Sequence, residues 1–278
     1  VSEPARLRHV EHAMGTVFSF DVRGFTHLPR VRAALEESVA FLHMTDAVFS
    51  TYRSDSQISR LARGELDLRS CDAEVREVLR LCEEAERRSD GWFSVRYEGR
   101  PGTGPDPTGL VKGWAVERAA RTLAEAGAEA VCVNGGGDVQ TVGGPWRIGI
   151  SDPLTPGAIA AVVEVGADAR ETAVATSGPA ERGCHILDPH TGRPPATRLA
   201  SITVVCPTLT AADAWATAAY AMGDAARTWL SALPGAQAFA VTTGGGTWHT
   251  TGFPGSAGTA DPGKPVRVLR GDAQQQVG

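Results

Sequence analysis

The chain has 278 residues, of which 42% are hydrophobic and 21% charged, and its formal net charge is −5. That length admits one large globular domain or two small ones, and the mild acidity provides no electrostatic footprint for nucleic acid. No stretch has the uninterrupted apolar length of a membrane span, and the five cysteines are widely spaced without a C-x-x-C, which argues against a zinc site or a disulfide framework. The opening residues Val1 to Arg6 are polar and lack the apolar core of a signal peptide. The expectation is a cytoplasmic protein, with an exported mature form as the alternative.

In chain order, Thr16 to Arg23 alternates and is rich in β-formers, so it reads as a strand. Arg30 to Phe49 carries a helical period through Val31, Leu35, Val39 and Leu42. Ser54 to Leu61 is a short polar segment with an apolar turn at its end. Asp72 to Arg88 is a second amphipathic helix, with Asp72 able to cap it, Arg87 and Arg88 at its C-terminal end and Gly91 stopping it. Residues 98–109 are Gly/Pro-rich and form a loop. Val111 to Ala126 predicts a third helix, and Ala130 to Asn134 a strand running into Gly135-Gly136-Gly137-Asp138. Trp146 to Ile150, Ala160 to Val165 and Ser201 to Cys206 read as strands. Thr210 to Met222 and Ala225 to Leu233 read as helices. Ala238 to Thr242 and Thr247 to Thr251 flank a triple-glycine turn and predict a hairpin. Residues 253–278 are polar and Gly-rich, so the reading is one domain over 1–252 followed by a tail. The uneven mixture of strands and helices indicates α+β rather than regular βαβ winding.

Five segments carry candidate chemistry, each beside a plainer alternative. Asn134-Gly135-Gly136-Gly137-Asp138 can expose backbone N–H groups to phosphate, or can be a turn. Asp106-Pro107-Thr108-Gly109-Leu110-Val111-Lys112 leads a loop into a helix, a natural anion site in which Lys112 adds a point charge. Only two of the 27 basic residues are lysines, Lys112 and Lys264, so Lys112 stands out; the plainer reading has Asp106 or Thr108 as a helix cap and the lysine solvated. Asp213 and Thr217, four apart, share a helix face and offer two oxygens to Mg²⁺; alternatively Thr210 to Asp213 is a capping box. His185, just before Ile186-Leu187-Asp188-Pro189, can serve as a general base or as a structural hydrogen-bonder. Ala175-Thr176-Ser177-Gly178 can present hydroxyls and amides to a phosphate, or be an ordinary strand end.

The collinear order of Met14-Gly15-Thr16, Phe49-Ser50-Thr51-Tyr52, Asp106-x-x-Gly109-x-x-Lys112-Gly113, Asn134 to Asp138, Ala175 to Gly178, His185-x-x-Asp188-Pro189-x-Thr191-Gly192 and Ala212-Asp213-x-x-x-Thr217 resembles the FAD:protein FMN transferases, the ApbE family. The resemblance covers about residues 12 to 250. It implies a single α+β domain related to the T-fold, with mixed or antiparallel sheets and flanking helices. It also implies Mg²⁺-dependent transfer of FMN from FAD to a Ser or Thr of a target flavoprotein, releasing AMP. Asp213 and Thr217 then correspond to side-chain magnesium ligands and Gly109 to a carbonyl ligand. Asp106 and Lys112 fall at FAD-contacting positions, and Met14 and Tyr52 resemble the residues against the isoalloxazine ring. Asn134, Gly135, Gly136, Asp138, Thr176, Ser177, Gly178 and Ile186 complete the implied FAD set. His185 corresponds to the base for the acceptor hydroxyl, with Asp188 orienting it.

The chain departs from the family pattern in places. Trp92 to Gly104 is short and Gly-rich where members often carry a longer segment of Leu-Trp-Gly-Phe character, and Ala62 stands where Asn is common. Two rival readings keep the site and change its outcome: a FAD pyrophosphatase giving FMN and AMP, and a flavin-binding protein without turnover.

Overall fold

The computed structural model describes residues 5–96, 104–168, 170–179 and 186–257. Eight strands form one antiparallel sheet in the order β1-β2-β3-β4-β7-β8-β9-β10, and three more form a small sheet in the order β11-β6-β5. The large sheet comprises β1 (Arg6–Ala13), β2 (Thr16–Arg23), β3 (Ala130–Gly135), β4 (Asp138–Val142), β7 (Glu171–Ser177), β8 (Leu199–Cys206), β9 (Gln237–Thr242) and β10 (Thr247–His249). The small one comprises β5 (Trp146–Ser151), β6 (Ile159–Val165) and β11 (Gly255–Ala257). Every described ladder is antiparallel, which narrows the expected mixed-or-antiparallel α+β architecture.

Side-chain alternation divides the large sheet into two buried faces. Val131, Val133, Ala173, Ala175, Ile202 and Val204 point into the larger core, toward the helices. Their neighbours Ala130, Cys132, Val174 and Val205 point the other way, against Trp146, Ile148, Ile150 and Val163 of the small sheet. The central strand β8 is therefore buried along its whole length, as strands covered on both sides must be.

The helical layer is built from α1 (Leu28–Phe49), α2 (Gln57–Ala62), α3 (Ala73–Arg88), α4 (Thr108–Glu125), α5 (Leu209–Met222) and α6 (Ala226–Ala232). In α3 the buried residues Val75, Val78, Leu79, Cys82 and Ala85 recur at helical spacing, and burying each large apolar side chain is worth about 1.5–3 kcal/mol. The helix ends where Asp90 and Gly91 take positive φ and Gly91 N–H donates to the Glu86 carbonyl at 2.9 Å, a left-handed C-terminal stop. Trp114 of α4 packs on Phe41 and Phe49 of α1, with ring centroids 5.2 and 5.9 Å apart.

Several elements differ from the sequence reading. Segment 6–13 forms the edge strand β1; its row of Arg6, Arg8, Val10 and His12 is exposed, so no apolar run announces it. Ser54 to Leu61 contributes a helical turn, α2, because the Ser56 hydroxyl accepts the Ser59 amide at 3.0 Å. Asp72 stands at the N-cap of α3, but its carboxylate accepts from Gln57 Nε2 at 2.6 Å instead of capping. Residues 255–257 pair with β6, so the folded part runs past residue 252. Of the Gly/Pro loop, 97–103 lies outside the described residues, and Thr108 already opens α4. No described helix is long and apolar enough to cross a membrane.

Candidate functional site

The site grows from the contact between α4 and α5. Adding a Cβ to Gly113 would bring it within 2.6 Å of the Leu209 carbonyl oxygen and 2.8 Å of Asp213 Cβ. One turn earlier, a Cβ on Gly109 would lie 3.3 Å from Phe93 and 3.5 Å from Thr217 Oγ1. Gly109 and Gly113, four apart, thus form a groove on α4 into which the Asp213–Thr217 face of α5 settles. The Gly113 amide donates to Asp213 Oδ2 at 3.0 Å. In a regular helix that amide serves the Gly109 carbonyl; here it also serves a carboxylate.

The capping-box alternative for Asp213 fails on this geometry. The N-cap of α5 is Thr208, and the Thr210 amide and hydroxyl both donate to Glu117 Oε2 of α4, at 2.9 and 2.6 Å. Asp213 is turned to α4 instead. Lys112 is not solvated either: its side chain is 11% exposed, its ammonium pairs with Asp138, and it lies 3.5 Å from Asp213 Oδ2. Asp138 in turn accepts the Thr176 amide through Oδ1 at 2.9 Å. One polar chain therefore crosses from α5 through α4 and β4 to β7.

The turn ahead of Asp138 is a two-residue hairpin connection. Gly135 pairs with Asp138, and Gly136 and Gly137 between them have φ of 58° and 95°, which side chains rarely adopt. Asn134 Oδ1 accepts the Gly137 amide at 2.9 Å. The glycines are thus accounted for by the turn, and Gly135 additionally by its packing on Phe18 and Val116. The Gly136 amide donates to the Val17 carbonyl at 3.1 Å, which sets this turn beside the Met14-Gly15 turn of the β1–β2 hairpin. Antiparallel register then gathers Met14 to Thr16, Gly135 to Asp138, Thr176 to Gly178 and the start of β8 at one end of the large sheet.

The remaining candidates are placed as follows. Met14 takes a φ of 51° in its turn and packs partly against the main core. Tyr52, just beyond α1, is 99% exposed. Asp106 accepts the Thr108 amide at 3.1 Å and so caps the start of α4. Thr176 Oγ1 shares a hydrogen bond with Thr203 Oγ1 at 2.8 Å, Ser177 is buried opposite Ile202, and the Gly178 backbone passes so close to the Ala200 carbonyl that a Cβ would sit 2.7 Å from it. Ile186 is buried. Asp188 Oδ1 accepts the His190 amide at 2.9 Å and faces His190 Nδ1 at 3.2 Å, while the His190 ring meets Trp92 edge-on at 4.6 Å. His185, the expected base, lies outside the described residues.

Sequence reasoning missed Gln140 and Glu117. Gln140 is fully buried; its Oε1 accepts the Leu209 amide at 2.8 Å and its Nε2 donates to the carbonyls of Pro207 and Thr141, each at 3.1 Å. Glu117 holds the next α5 amide and is itself paired with Arg121 at 2.6 Å. These carboxamide and carboxylate oxygens take the first two N–H groups of α5, which have no partner within the helix. The available signal was parity: Asp138 and Gln140 stand two apart in a short strand, hence on one face.

Among the described residues no three His, Cys, Asp or Glu side chains are grouped to hold a metal. Asp213 and Thr217 share the α5 face that meets Gly109 and Gly113 of α4, and a carboxylate, a hydroxyl and a helix carbonyl are the kind of oxygen donors that suit a hard cation such as Mg²⁺, which keeps several waters or substrate oxygens.

The model of the ApbE family matches residues 14–100 and 98–240. A FAD:protein FMN transferase of Escherichia coli K12 is 29% identical over 153 residues, covering 50% of this chain and 42% of the relative, so the match spans less than half of that protein. The solved ApbE protein of Thermotoga maritima superposes with a TM-score of 0.77 at 22% identity, over 89% of this chain and 97% of that one. The flavin transferase ApbE of Vibrio cholerae gives 0.74 at 20%, over 90% and 98%. At these identities the structural likeness is one of fold, and it extends across nearly the whole described chain. The family match and the shared architecture together place this chain in the ApbE family.

Proposed function

We propose that the protein transfers FMN from FAD to a Ser or Thr hydroxyl of a target flavoprotein, releasing AMP, with Mg²⁺ held by Asp213, Thr217 and the Gly109 carbonyl. The observation that carries the reading is the seating of the Asp213–Thr217 face of α5 against Gly109 and Gly113 of α4. It is supported by the names of the family relatives, which are FAD:protein FMN transferases. When bound, the cation neutralises the dinucleotide pyrophosphate and improves AMP as a leaving group.

The chain's own residues supply position and proton transfer. The acceptor oxygen bonds to the FMN phosphorus, the bond to the AMP oxygen breaks, and the hydroxyl proton passes to a base, for which His185 is the candidate. Thr176 and Ser177 are candidates for facing the phosphates, and Met14 and Tyr52 for covering the flavin; the 99% exposure of Tyr52 leaves its ring free to meet a ligand face. Asp106, Asn134 and Asp138 act by shaping the site. The four described cysteines are free and buried, with burial pushing Cys132 and Cys206 up to about 12, so they serve as packing groups rather than nucleophiles.

The test is purified protein with FAD and Mg²⁺, with and without a protein acceptor carrying a Ser/Thr flavinylation motif, read by AMP release and acceptor mass. An acceptor heavier by FMN, with matching AMP, is the expected result. AMP and free FMN with unchanged acceptor mass would make the enzyme a pyrophosphatase. FAD bound without product would make it a flavin-binding protein.

A further inference from the structure

Lys112 was expected to be a point charge for a phosphate. Its ammonium instead sits between two carboxylates, paired with Asp138 and 3.5 Å from Asp213 Oδ2, in a cluster that is almost closed to solvent. Asp138 and Asp213 differ in their other partners. Asp138 Oδ1 takes the Thr176 amide of β7, whereas Asp213 Oδ2 takes the Gly113 amide and faces the α4 groove. These three side chains hold one negative charge in excess, and Asp213 is the carboxylate on the α5 face, shared with Thr217, that meets Gly109 and Gly113.

We propose that Lys112 is an internal cation competing for Asp213, and that Asp138 is the anchor that holds it back so that a divalent cation can take that carboxylate. The two are positioning residues rather than phosphate contacts. The inference rests on the cation site of the proposed function and adds who regulates access to it. The physical reason is geometric: Lys112 follows Gly109 by three residues on α4, so its ammonium reaches the same side of the groove as the cation's donors. Two cations against one carboxylate repel each other, so an ammonium drawn off by a second anion leaves Asp213 the better partner for a divalent cation. Asp138, fixed on β4 by the Thr176 amide, is that second anion.

The consequence is a pair of opposite effects that a merely structural role would not give. Asp138→Asn keeps the shape and an oxygen for the Thr176 amide but releases Lys112 onto Asp213, so divalent-cation affinity falls about tenfold or more. Lys112→Met removes the competitor from Asp213, so affinity rises several-fold. The measurement is Mn²⁺ binding to the full chain by electron paramagnetic resonance titration, without FAD, alongside thermal melting of each variant. Opposite shifts in Mn²⁺ affinity are the expected result. Both variants binding more weakly, or neither changing, overturns the inference while leaving the cation site standing. A wild-type protein that does not bind Mn²⁺ overturns the site and the inference together.

Discussion

The large sheet buries aspartates on both of its faces, and the two clusters are neutralised in opposite proportion. On the face toward the small sheet, Asp21 is met by Arg6, Arg8 and Arg23, three cations for one carboxylate; Arg23 also lies 3.7 Å over the Trp146 ring. On the helical face, among the described residues, Asp138 and Asp213 share the ammonium of Lys112. A buried carboxylate must be paired or hydrogen-bonded wherever it sits. The over-neutralised cluster, with its arginines reaching toward solvent, stitches β1 to β2. The under-neutralised one carries a charge its own lysine does not cancel, and it lies beside the Gly109/Gly113 face of α4. Burial alone therefore does not mark a functional acid; the balance of its counter-charges does.

The sharpest way to break this comparison is at Asp213. Asp213→Asn keeps an oxygen for the Gly113 amide and removes the charge. Flavin transfer should fall by at least ~10²-fold, the order expected when a group stabilising developing charge is lost. The melting temperature should stay level or rise, because a cluster with excess negative charge has been relieved. Steady-state transfer rates together with a melting curve decide it; retained activity would remove Asp213 from the cation site.

The second effect is at Gln140, which links the helical face to the sheet. Gln140→Leu leaves the Leu209 amide and the Pro207 carbonyl without their buried partner. At about 1–3 kcal/mol for each orphaned group, the loss should be about 2–4 kcal/mol of unfolding free energy. Because Leu209 begins the helix that carries Asp213, Mn²⁺ affinity should weaken as well. Denaturant unfolding and Mn²⁺ titration on the same variant check both, and loss of stability with unaltered affinity would detach the helix start from the site.

How much of this was legible in the chain follows from the same contrast. The helices α1, α3, α4 and α5 and the strands β2, β3, β6 and β8 announce themselves by periodicity, because each buries a continuous apolar stripe. The edge strand β1 does not: half of its residues are exposed, and what fixes it is pairing with β2. Residues 255–257 hide in a Gly-rich stretch for the same reason, since only the partner strand β6 selects them. Of the candidate site, Asp213 and Thr217 were legible by their spacing in a helix, and Gly109 only through the family resemblance. Gln140 and Glu117 were not, because their partners lie 69 and 93 residues away along the chain. Lys112 was legible as unusual, but its role depends on two carboxylates that only the fold brings to it.

The smallest effect is expected at Asp21, and its pH dependence separates the two clusters. Burial raises the Asp21 carboxyl, but hydrogen bonds from Arg6 and Arg23 and their charge outweigh it, so the folded value lies below the ordinary 3.8. The unfolded chain then binds the proton more readily, and stability rises with pH across the interval between the two values. The contribution is complete above pH 3.8 and is lost as the pH falls through the lower folded value. Asp21→Asn should accordingly cost about 1–2 kcal/mol near neutrality, a figure held down by the partial exposure of the arginines. The gap to wild type should be constant at neutral and mildly acidic pH and close under strong acid, while Mn²⁺ affinity stays as it was. Urea unfolding at a series of pH values reads the first and the titration reads the second. A gap that persists undiminished well below pH 3.8 would mean that the arginines hold Asp21 by shape and hydrogen bonding rather than by charge. A change in Mn²⁺ affinity would mean that the two faces of the sheet are not independent.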